Sequence, residues 1–420
     1  MNIMGVIRAI KQNEIDRLIT LVTNAYPSFD ATKEEVVQPF REQVAATIKE
    51  PGNSHFYGYY RDEQLLGIMR LYDYTVHWHG SNLLAGGVGS VAVDLLHKKE
   101  KIAKELITYF LRHYRNQGAH IAFLYSFRPD FYKRMGFGFG TEWHEYRVTP
   151  STIPNGQGKE RLTFLTEADI PDMLALHRRV TERTHGMIAA TDQDLKRLFS
   201  MKQNRIVGYV NGHGLQGYMG FQYRNNHSKN DFHNDLHVNQ WIAEEPAAHQ
   251  AFFAFLRSQA DQFQRIVFYV QDPEFHHLFD DPRNDTNNMI PPLSHEVRTT
   301  GIGLMVRILD AKRALSTSTI YPFGNVDATF TFEIRDTFLA ENEQRFTITF
   351  TNGKPALRDF VDKAPVVRMD ISDLSALLYG AVSLNTLLNY GKATISDAQW
   401  TQTLRALFPK AAFPVCDTFF

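Results

Sequence analysis

Residues 91–106 read Val-Ala-Val-Asp-Leu-Leu-His-Lys-Lys-Glu-Lys-Ile-Ala-Lys-Glu-Leu, and this stretch decides the fold. Its first residues have the apolar, β-branched pattern of a strand, and its last residues have the pattern of a helix. Backbone N–H groups at a helix N-terminus lack partners within the helix and carry partial positive charge. The stretch therefore predicts either a diphosphate site, to which Lys98, Lys99 and Lys101 add charge, or a solvated basic turn.

Helices and strands alternate around this stretch. Lys11–Ala25 places apolar residues three or four positions apart, which indicates an amphipathic helix. Phe56–Tyr60 and Leu65–Tyr72 flank a polar turn and predict a hairpin, and Ile121–Tyr125 predicts a further strand.

The hairpin pattern recurs further along the chain. Phe56–Tyr60 with Leu65–Met69 matches Ile206–Val210 with Leu215–Met219 at a constant offset of 150 residues (208 − 58). A later strand matches at an offset of 144 (267 − 123), so the second copy is six residues shorter (150 − 144) across the basic loop. We therefore predict a duplicated fold whose second copy lacks the loop.

Two polar segments divide the chain. Residues 149–159 and 281–300 are rich in turn-forming residues and lack periodicity, which is typical of linkers. Beyond them, Ala328–Ile334 and Arg345–Phe350 alternate by twos and precede short helices, so the last segment is predicted to be α+β. The predicted domains are 1–148, 149–296 and 297–420, in an α+β or mixed α/β architecture.

Composition argues against several classes of function. Lys and Arg total 45 and Asp and Glu total 46, a balance that disfavours sequence-independent nucleic-acid binding. Cys416 is the single cysteine, and no stretch approaches the roughly 20 apolar residues of a membrane helix. His77-Trp78-His79 predicts a surface hairpin, because no third metal ligand is near in sequence. We expect a cytoplasmic protein with no nucleic-acid partner, no membrane partner and no metal.

The basic loop resembles the coenzyme A signature of the GNAT acetyltransferase superfamily, which is Arg/Gln-x-x-Gly-x-Gly/Ala after a Val-x-Val strand. Lys98 stands in the Arg place and Ala103 in the last place, but Lys101 stands where the family has Gly. A Cβ there would crowd the diphosphate or oppose a positive φ. The resemblance implies acetyl-CoA as cosubstrate, bound by Val91, Ala92, Val93, Lys98, Lys99, Glu100, Lys101, Ile102 and Ala103.

Residues 131–138, Phe-Tyr-Lys-Arg-Met-Gly-Phe-Gly, resemble the family's Tyr-x-x-x-Gly-Phe block. The resemblance implies that the Tyr132 hydroxyl lies near the thioester sulfur and acts as general acid. The plainer interpretation is that Tyr132 is one more core aromatic residue.

The order of the three segments resembles that of the enhanced intracellular survival (Eis) family: a GNAT domain, a second GNAT-like domain without a cofactor loop, and a domain similar to sterol carrier proteins. The resemblance implies a homo-oligomeric ring, such as a hexamer, and an amine acceptor similar to an aminoglycoside, a polyamine or lysine. It also implies that the carboxylate of Phe420 acts as base and that Phe29 and Asp30 line the amine site. Tail packing for Phe420 and a helix-end turn for Asp30 are the alternatives.

Two functions follow from these patterns. One is an acetyl-CoA-dependent N-acetyltransferase. The other is a non-catalytic carrier of a lipid or small ligand, or a scaffold protein, with a vestigial GNAT domain, and Lys101 in the glycine position favours it.

Overall fold

The computed structural model describes residues 5–27, 29, 32–226, 233–284, 286–359, 361 and 363–420. They form two compact units. The first consists of the chain up to Gly140, Leu304–Ala412 and Phe419–Phe420, and the second of Thr141–Gly303 and Phe413–Thr418. Among the described residues, no helix is long and apolar enough to span a bilayer.

The strands and helices are as follows. The strands are β1 (Val6–Ala9), β2 (Ser54–Arg61), β3 (Gln64–Trp78), β4 (Ser81–Val93), β5 (Ile121–Tyr125), β6 (Gly138–Phe139), β7 (Glu142–Val148), β8 (Leu162–Phe164), β9 (Arg205–Asn211), β10 (Gly214–Asn225), β11 (Asn234–Ala243), β12 (Arg265–Val270), β13 (Met289–Ile290), β14 (Ser294–His295), β15 (Thr299–Ile302), β16 (Leu304–Ile308), β17 (Ala328–Arg335), β18 (Gln344–Thr351), β19 (Lys354–Arg358), β20 (Val366–Asp370) and β21 (Ala393–Ile395). The helices are α1 (Ile15–Ala25), α2 (Glu34–Lys49), α3 (Ile102–Asn116), α4 (Pro129–Lys133), α5 (Ile170–Thr181), α6 (Asp192–Ser200), α7 (Pro246–Arg257), α8 (Ala311–Leu315), α9 (Ile371–Leu378), α10 (Leu384–Asn389) and α11 (Thr401–Leu407).

A seven-stranded sheet in the order β1-β2-β3-β4-β5-β16-β6 lies at the centre of the first unit. Successive residues of β3 point to opposite faces, so Ile68 packs in the core beneath α1 and Met69 packs in the core beneath α3. Both residues are fully buried. The predicted hairpin, strand and amphipathic helices are confirmed here.

The second unit repeats the first at the predicted offset. Its sheet runs β15-β7-β12-β11-β10-β9-β8, and Gly208 pairs with Tyr218 as Gly58 pairs with Ile68. The next strand also keeps register, because Gly217 pairs with Ala243 as Gly67 pairs with Val93. The duplication is therefore present in the strand pairing as well as in the sequence.

The units differ from the predicted segments at their boundaries. β7, predicted to close the first domain, pairs with β12 in the second sheet. β16, predicted to open the third domain, pairs with β5 in the first sheet. The division therefore falls after Gly140 and after Gly303 instead of after residues 148 and 296, because strand hydrogen bonds join segments that are distant in sequence.

The third predicted segment forms its own sheet within the first unit, in the order β19-β18-β17-β20-β21. β17 and β18 are antiparallel, as the alternating pattern predicts. The turn between β3 and β4 is also a hairpin, but the expectation that it lies at the surface is wrong. Trp78 is fully buried, stacks on Tyr379 at 5.1 Å and donates its Nε1–H to the Ile320 carbonyl at 2.7 Å.

A buried ion pair connects β16 to the loop after β17. Arg307 and Asp336 are both fully buried and hydrogen-bonded to each other. The other oxygen of Asp336 accepts from the backbone N–H groups of Phe338 and Leu339 at 3.0 and 2.9 Å. Removing one partner of such a pair leaves an uncompensated charge in the core.

We expect Asp336→Asn to lower the free energy of unfolding by about 3–5 kcal/mol, because asparagine keeps the backbone hydrogen bonds but leaves Arg307 without its counter-charge. Urea denaturation measures the loss. The matched control is Glu333→Gln, which breaks an ion pair with Arg368 whose side chains are about half exposed. It should cost less than about 1 kcal/mol, and equal losses in the two variants would contradict the assignment.

Candidate active site

The two central strands of the first unit separate. β4 and β5 pair in parallel only from Ala85 to Gly87, although β4 continues to Val93. The register of β4 against β3 also shifts around Ser90, whose φ is +50°. The second half of β4 therefore has β3 on one side and a gap on the other.

The end of the chain lies in this gap. The ring of Phe420 contacts Tyr72, Tyr74 and Tyr125, with centroids 5.2, 5.1 and 5.5 Å apart. A Cβ built on Gly89 would lie 3.3 Å from the carboxyl carbon of Phe420 and 3.5 Å from one of its oxygens. The terminal carboxylate therefore lies against β4, two residues before Val91.

Tyr132 lies in α4 and is 4% exposed. It is surrounded by Phe127, Phe131 and Phe137 at centroid distances of 5.2–6.2 Å. Burial raises the pKa of the Tyr132 phenol well above its usual value, and the nearby phenol of Tyr26 adds to the shift. At neutral pH Tyr132 is therefore a proton donor.

Tyr26, which follows α1, connects the aromatic residues around Tyr132 to strand β4. Its hydroxyl donates to the Val91 carbonyl at 3.1 Å. Burial raises the pKa of Tyr26, and the phenol of Tyr72 contributes to the shift. Tyr26 is therefore bound to β4 through Val91, and its phenol contributes to the raised pKa of Tyr132.

Gly136 explains the glycine of the Tyr-x-x-x-Gly-Phe block. Its φ is +82°, and a Cβ there would overlap the guanidinium of Arg307 at 1.4 Å. Arg307 in turn donates to the Met135 carbonyl. The glycine therefore lets the buried arginine hold the turn that follows α4, which positions Tyr132.

The loop before α3 has the positive φ that is typical of glycine, although a lysine occupies the family's glycine position. Lys101 is the N-cap of α3 with φ +67°, and Lys99 has φ +70°. The expectation that a side chain at position 101 forbids a positive φ is therefore wrong for this structure. Lys101 therefore has a strained, left-handed backbone, which costs a non-glycine residue about 1–2 kcal/mol.

The charges of this loop fit an anion. Glu100 is paired with Arg61 at 2.6 Å and with His97 at 3.2 Å, so its carboxylate is compensated. The lysines at 98, 99 and 101 are exposed, and α3 begins with unpaired N–H groups at Ile102 and the positions after it. These groups suit a diphosphate better than they suit a neutral ligand.

The loop is anchored at its start. Asp94 accepts from the Leu96 backbone N–H at 2.9 Å and forms an ion pair with Arg17 of α1. Hydrogen bonding lowers the pKa of Asp94, first from the Leu96 N–H and then from Arg17. The carboxylate therefore stays charged and fixes the turn between β4 and α3.

The predicted amine-site residues are only partly described. Phe29 follows Tyr26 in the turn after α1, donates its N–H to the Tyr26 carbonyl at 2.9 Å, and packs on Phe40 with centroids 5.0 Å apart. Asp30 lies outside the described residues.

Sequence reasoning missed the aromatic residues around the chain terminus. Tyr72 and Tyr74 are two positions apart on β3 and stack at 5.6 Å, so strand alternation could have placed them on one face. Tyr125 and Tyr26 carry no such signal, because only tertiary contacts bring them to the gap.

The second unit lacks the equivalent loop. Eight residues separate β4 from α3, whereas two, Glu244 and Glu245, separate β11 from α7. Glu244 is paired with Arg179 at 2.6 Å, and α7 begins at a proline, which has no N–H. This helix start has neither the length nor the charge for a diphosphate.

The chain matches known families in three places. Residues 6–140 and 180–308 each match a family described as acetyltransferase (GNAT) domain, and residues 311–417 match the sterol carrier protein domain family. An uncharacterized N-acetyltransferase of Streptomyces avermitilis is 27% identical over 331 residues, which cover 73% of this chain and 75% of the relative.

Solved structures share the fold over nearly the whole chain. A GCN5-related N-acetyltransferase from Anabaena variabilis superposes with a TM-score of 0.80 at 19% identity, covering 99% of this chain and 100% of that one. A probable N-acyltransferase from Enterococcus faecalis gives 0.78 at 20% identity, with 99% of both chains covered. Eis1 from Mycobacterium abscessus gives 0.74 at 18% identity, with coverage of 99% and 100%. The chain is therefore an N-acetyltransferase of the GNAT superfamily, in which two GNAT domains precede a sterol-carrier domain in the order predicted from the Eis resemblance.

Proposed function

We propose that this chain transfers an acetyl group from acetyl-CoA to the amine of a small molecule, in the class of aminoglycosides, polyamines or lysine-like amines. The observation that carries the proposal is the position of the chain's own carboxylate. It lies against Gly89 in the gap beside β4, within the group of tyrosines that leads to Tyr132. A base and an acid are thus available at one strand, as aminolysis of a thioester requires.

In this proposal the first 148 residues bind the cosubstrate, which supplies an activated acyl thioester. The N-terminus of α3, with Lys98, Lys99 and Lys101, holds the diphosphate, and the segment from Val91 to Ala103 surrounds it. Backbone N–H groups on the open side of β4 polarise the acyl carbonyl, because fixed donors cost no reorganisation during reaction.

Tyr132 is proposed as the general acid. Its raised pKa keeps the hydroxyl protonated, so that it can donate to a departing thiolate at neutral pH. Its apolar surroundings exclude water, which strengthens the hydrogen bond to a developing charge.

Phe420 is proposed as the source of the general base. A free α-carboxyl has a pKa of about 3.3–3.7, so it is ionised at neutral pH. It accepts a proton from the amine nitrogen, directly or through a water, as that nitrogen attacks the thioester carbonyl. The surrounding rings of Tyr72, Tyr74 and Tyr125 present π faces that attract a cationic amine. The last segment, 297–420, thus serves to deliver the terminus.

We also propose that the chain assembles into a homo-oligomer, a hexamer by analogy with the Eis domain order. Apolar side chains exposed on and beside the β13–β14 hairpin support an interface: Met289 is 44%, Ile290 54% and Leu293 76% exposed. Apolar residues grouped in this way commonly mark protein contacts.

We expect Lys101→Gly to bind coenzyme A within about threefold of the natural chain, because glycine keeps the left-handed backbone and only one exposed charge is lost. Lys101→Val should bind at least about tenfold more weakly, because a β-branched residue resists φ near +67° and shifts the start of α3. Isothermal titration calorimetry with coenzyme A measures both. Equal affinities in the two variants would show that the backbone of this loop does not hold the diphosphate.

Tyr132→Phe should lower kcat by about 10²–10³-fold while the KM for acetyl-CoA changes little, because it removes a proton donor used in the transition state. Release of free thiol in the presence of a polyamine reports the rate. Tyr109→Phe, which removes a phenol of α3 that packs on Tyr57 instead of on Tyr132, is the matched control and should retain activity. A Tyr132→Phe enzyme with full kcat would refute the acid assignment.

Extending the chain by Gly-Ser after Phe420 should lower kcat by at least about 10²-fold, since the carboxylate is moved away from Gly89. Phe420→Leu keeps the carboxylate and loses the ring, so it should lose less activity than the extension. Turnover by the extended chain at the natural rate would mean that the terminus packs in the gap without acting as the base.

A further inference from the structure

The second unit contains a cavity that the acetyl-transfer reaction does not use. Its volume is about 780 Å³, and it lies where the strands β11 and β12 separate, at the start of α7. Aromatic residues dominate its lining, among them Trp241, Phe253, Tyr269 and Phe275. By the 150-residue offset Trp241 corresponds to Val91, so the cavity is the second unit's counterpart of the cofactor cleft.

The charge of the cavity is the opposite of what coenzyme A requires. Asp272, Glu274 and Asp417 line it, and among the described residues no lysine or arginine does. Burial lowers the pKa of His249, which accepts the Trp241 Nε1–H at 2.9 Å, so this imidazole adds no positive charge at neutral pH. Anionic ligands are therefore repelled.

Asp417 and Asn239, two residues of the lining, each have a buried side-chain oxygen without a hydrogen-bond partner among the described residues. Oδ2 of Asp417 accepts from Gln240 at 3.0 Å and lies 3.3 Å from His177, but Oδ1 is buried and has no hydrogen-bond partner among the described residues. Oδ1 of Asn239 is in the same state, while its amide nitrogen donates to Asn204 at 2.9 Å. Both oxygens are buried beyond the reach of a ligand in the cavity, so Asp417 contributes to this site through its charge.

His177 only partly offsets the charge of Asp417. Burial lowers the pKa of His177, but the hydrogen bond and charge of Asp417 outweigh it, and the net direction is upward. Even with this imidazole protonated, the carboxylates of Asp272 and Glu274 at the exposed rim leave the cavity negative.

We propose that this cavity is a second ligand site, which binds a small organic ammonium ion that has at least one N–H group and an apolar body. The aromatic rings contact the body, and the carboxylates of Asp272, Glu274 and Asp417 attract the charged N–H group. The site is independent of acetyl transfer, because its ligand need not carry an acetylatable nitrogen.

The probe is N,N-dimethylbenzylammonium, which is cationic at neutral pH, has one N–H and forms no stable amide. Calorimetric titration of the full chain should show saturable binding. N,N-dimethylbenzamide, an uncharged analogue of similar shape, should bind at least about tenfold more weakly, because it lacks the charge that the cavity attracts.

Asp417→Asn should weaken binding of the probe about tenfold, since it removes the negative charge but keeps the size of the side chain and one acceptor oxygen for Gln240. Glu274→Gln, at the exposed rim, should weaken binding of the probe about twofold and should leave the fold unchanged. Asp280→Asn, an exposed residue of the same unit outside the lining, is the matched control and should bind normally.

Unchanged affinity in both cavity variants, equal binding of the uncharged amide, or absence of saturable binding would each overturn the proposal. None of these outcomes bears on acetyl transfer, because that reaction is measured separately by thiol release. Circular dichroism of Asp417→Asn shows whether a loss of binding comes from a loss of fold.

Discussion

The separation of β4 from β5 after Gly87 is the constraint on which the first unit depends. A strand that leaves its neighbour exposes backbone groups, and these must meet other partners or water. Here the chain's own terminus fills part of the opening. Phe420 packs its ring between the tyrosines of β3 and β5 and lays its carboxylate against Gly89. The opening that we propose admits the thioester therefore also receives the group proposed as base.

The second unit meets the same constraint with other residues. β11 and β12 pair only as far as Val238 and Phe268, and Gln271 then bonds both the N–H and the carbonyl of Cys416. Val415 donates to the His185 carbonyl at 2.9 Å. These hydrogen bonds hold the tail beside the opening of the sheet. The second copy has the opening but not the loop to which we assign diphosphate binding, and Asp272, Glu274 and Asp417 line it.

Backbone conformation explains why two motif positions behave differently. Gly136 must be glycine for two reasons, a positive φ and the guanidinium of Arg307 in the place of a Cβ. Lys101 has the positive φ alone, and its side chain projects into solvent, so a lysine is tolerated at the cost of modest strain. A glycine of the family motif can therefore be replaced where the backbone needs a positive φ but no neighbouring atom occupies the place of a Cβ.

The local elements, the duplication and the basic loop before α3 could be predicted from the sequence alone. These depend on periodicity, on a fixed offset and on a motif of neighbouring residues, such as Lys98 to Ala103 before α3. The sequence also indicated Tyr132 and Phe420 through resemblance to a family. Three features appear only in the folded chain. β7 and β16 pair with strands outside their own predicted segments. Tyr26, Tyr72 and Tyr125 come together beside β4, and Trp78 is buried. Hydrogen bonds between strands and contacts between rings join residues up to hundreds of positions apart, and no local pattern records which partners will meet.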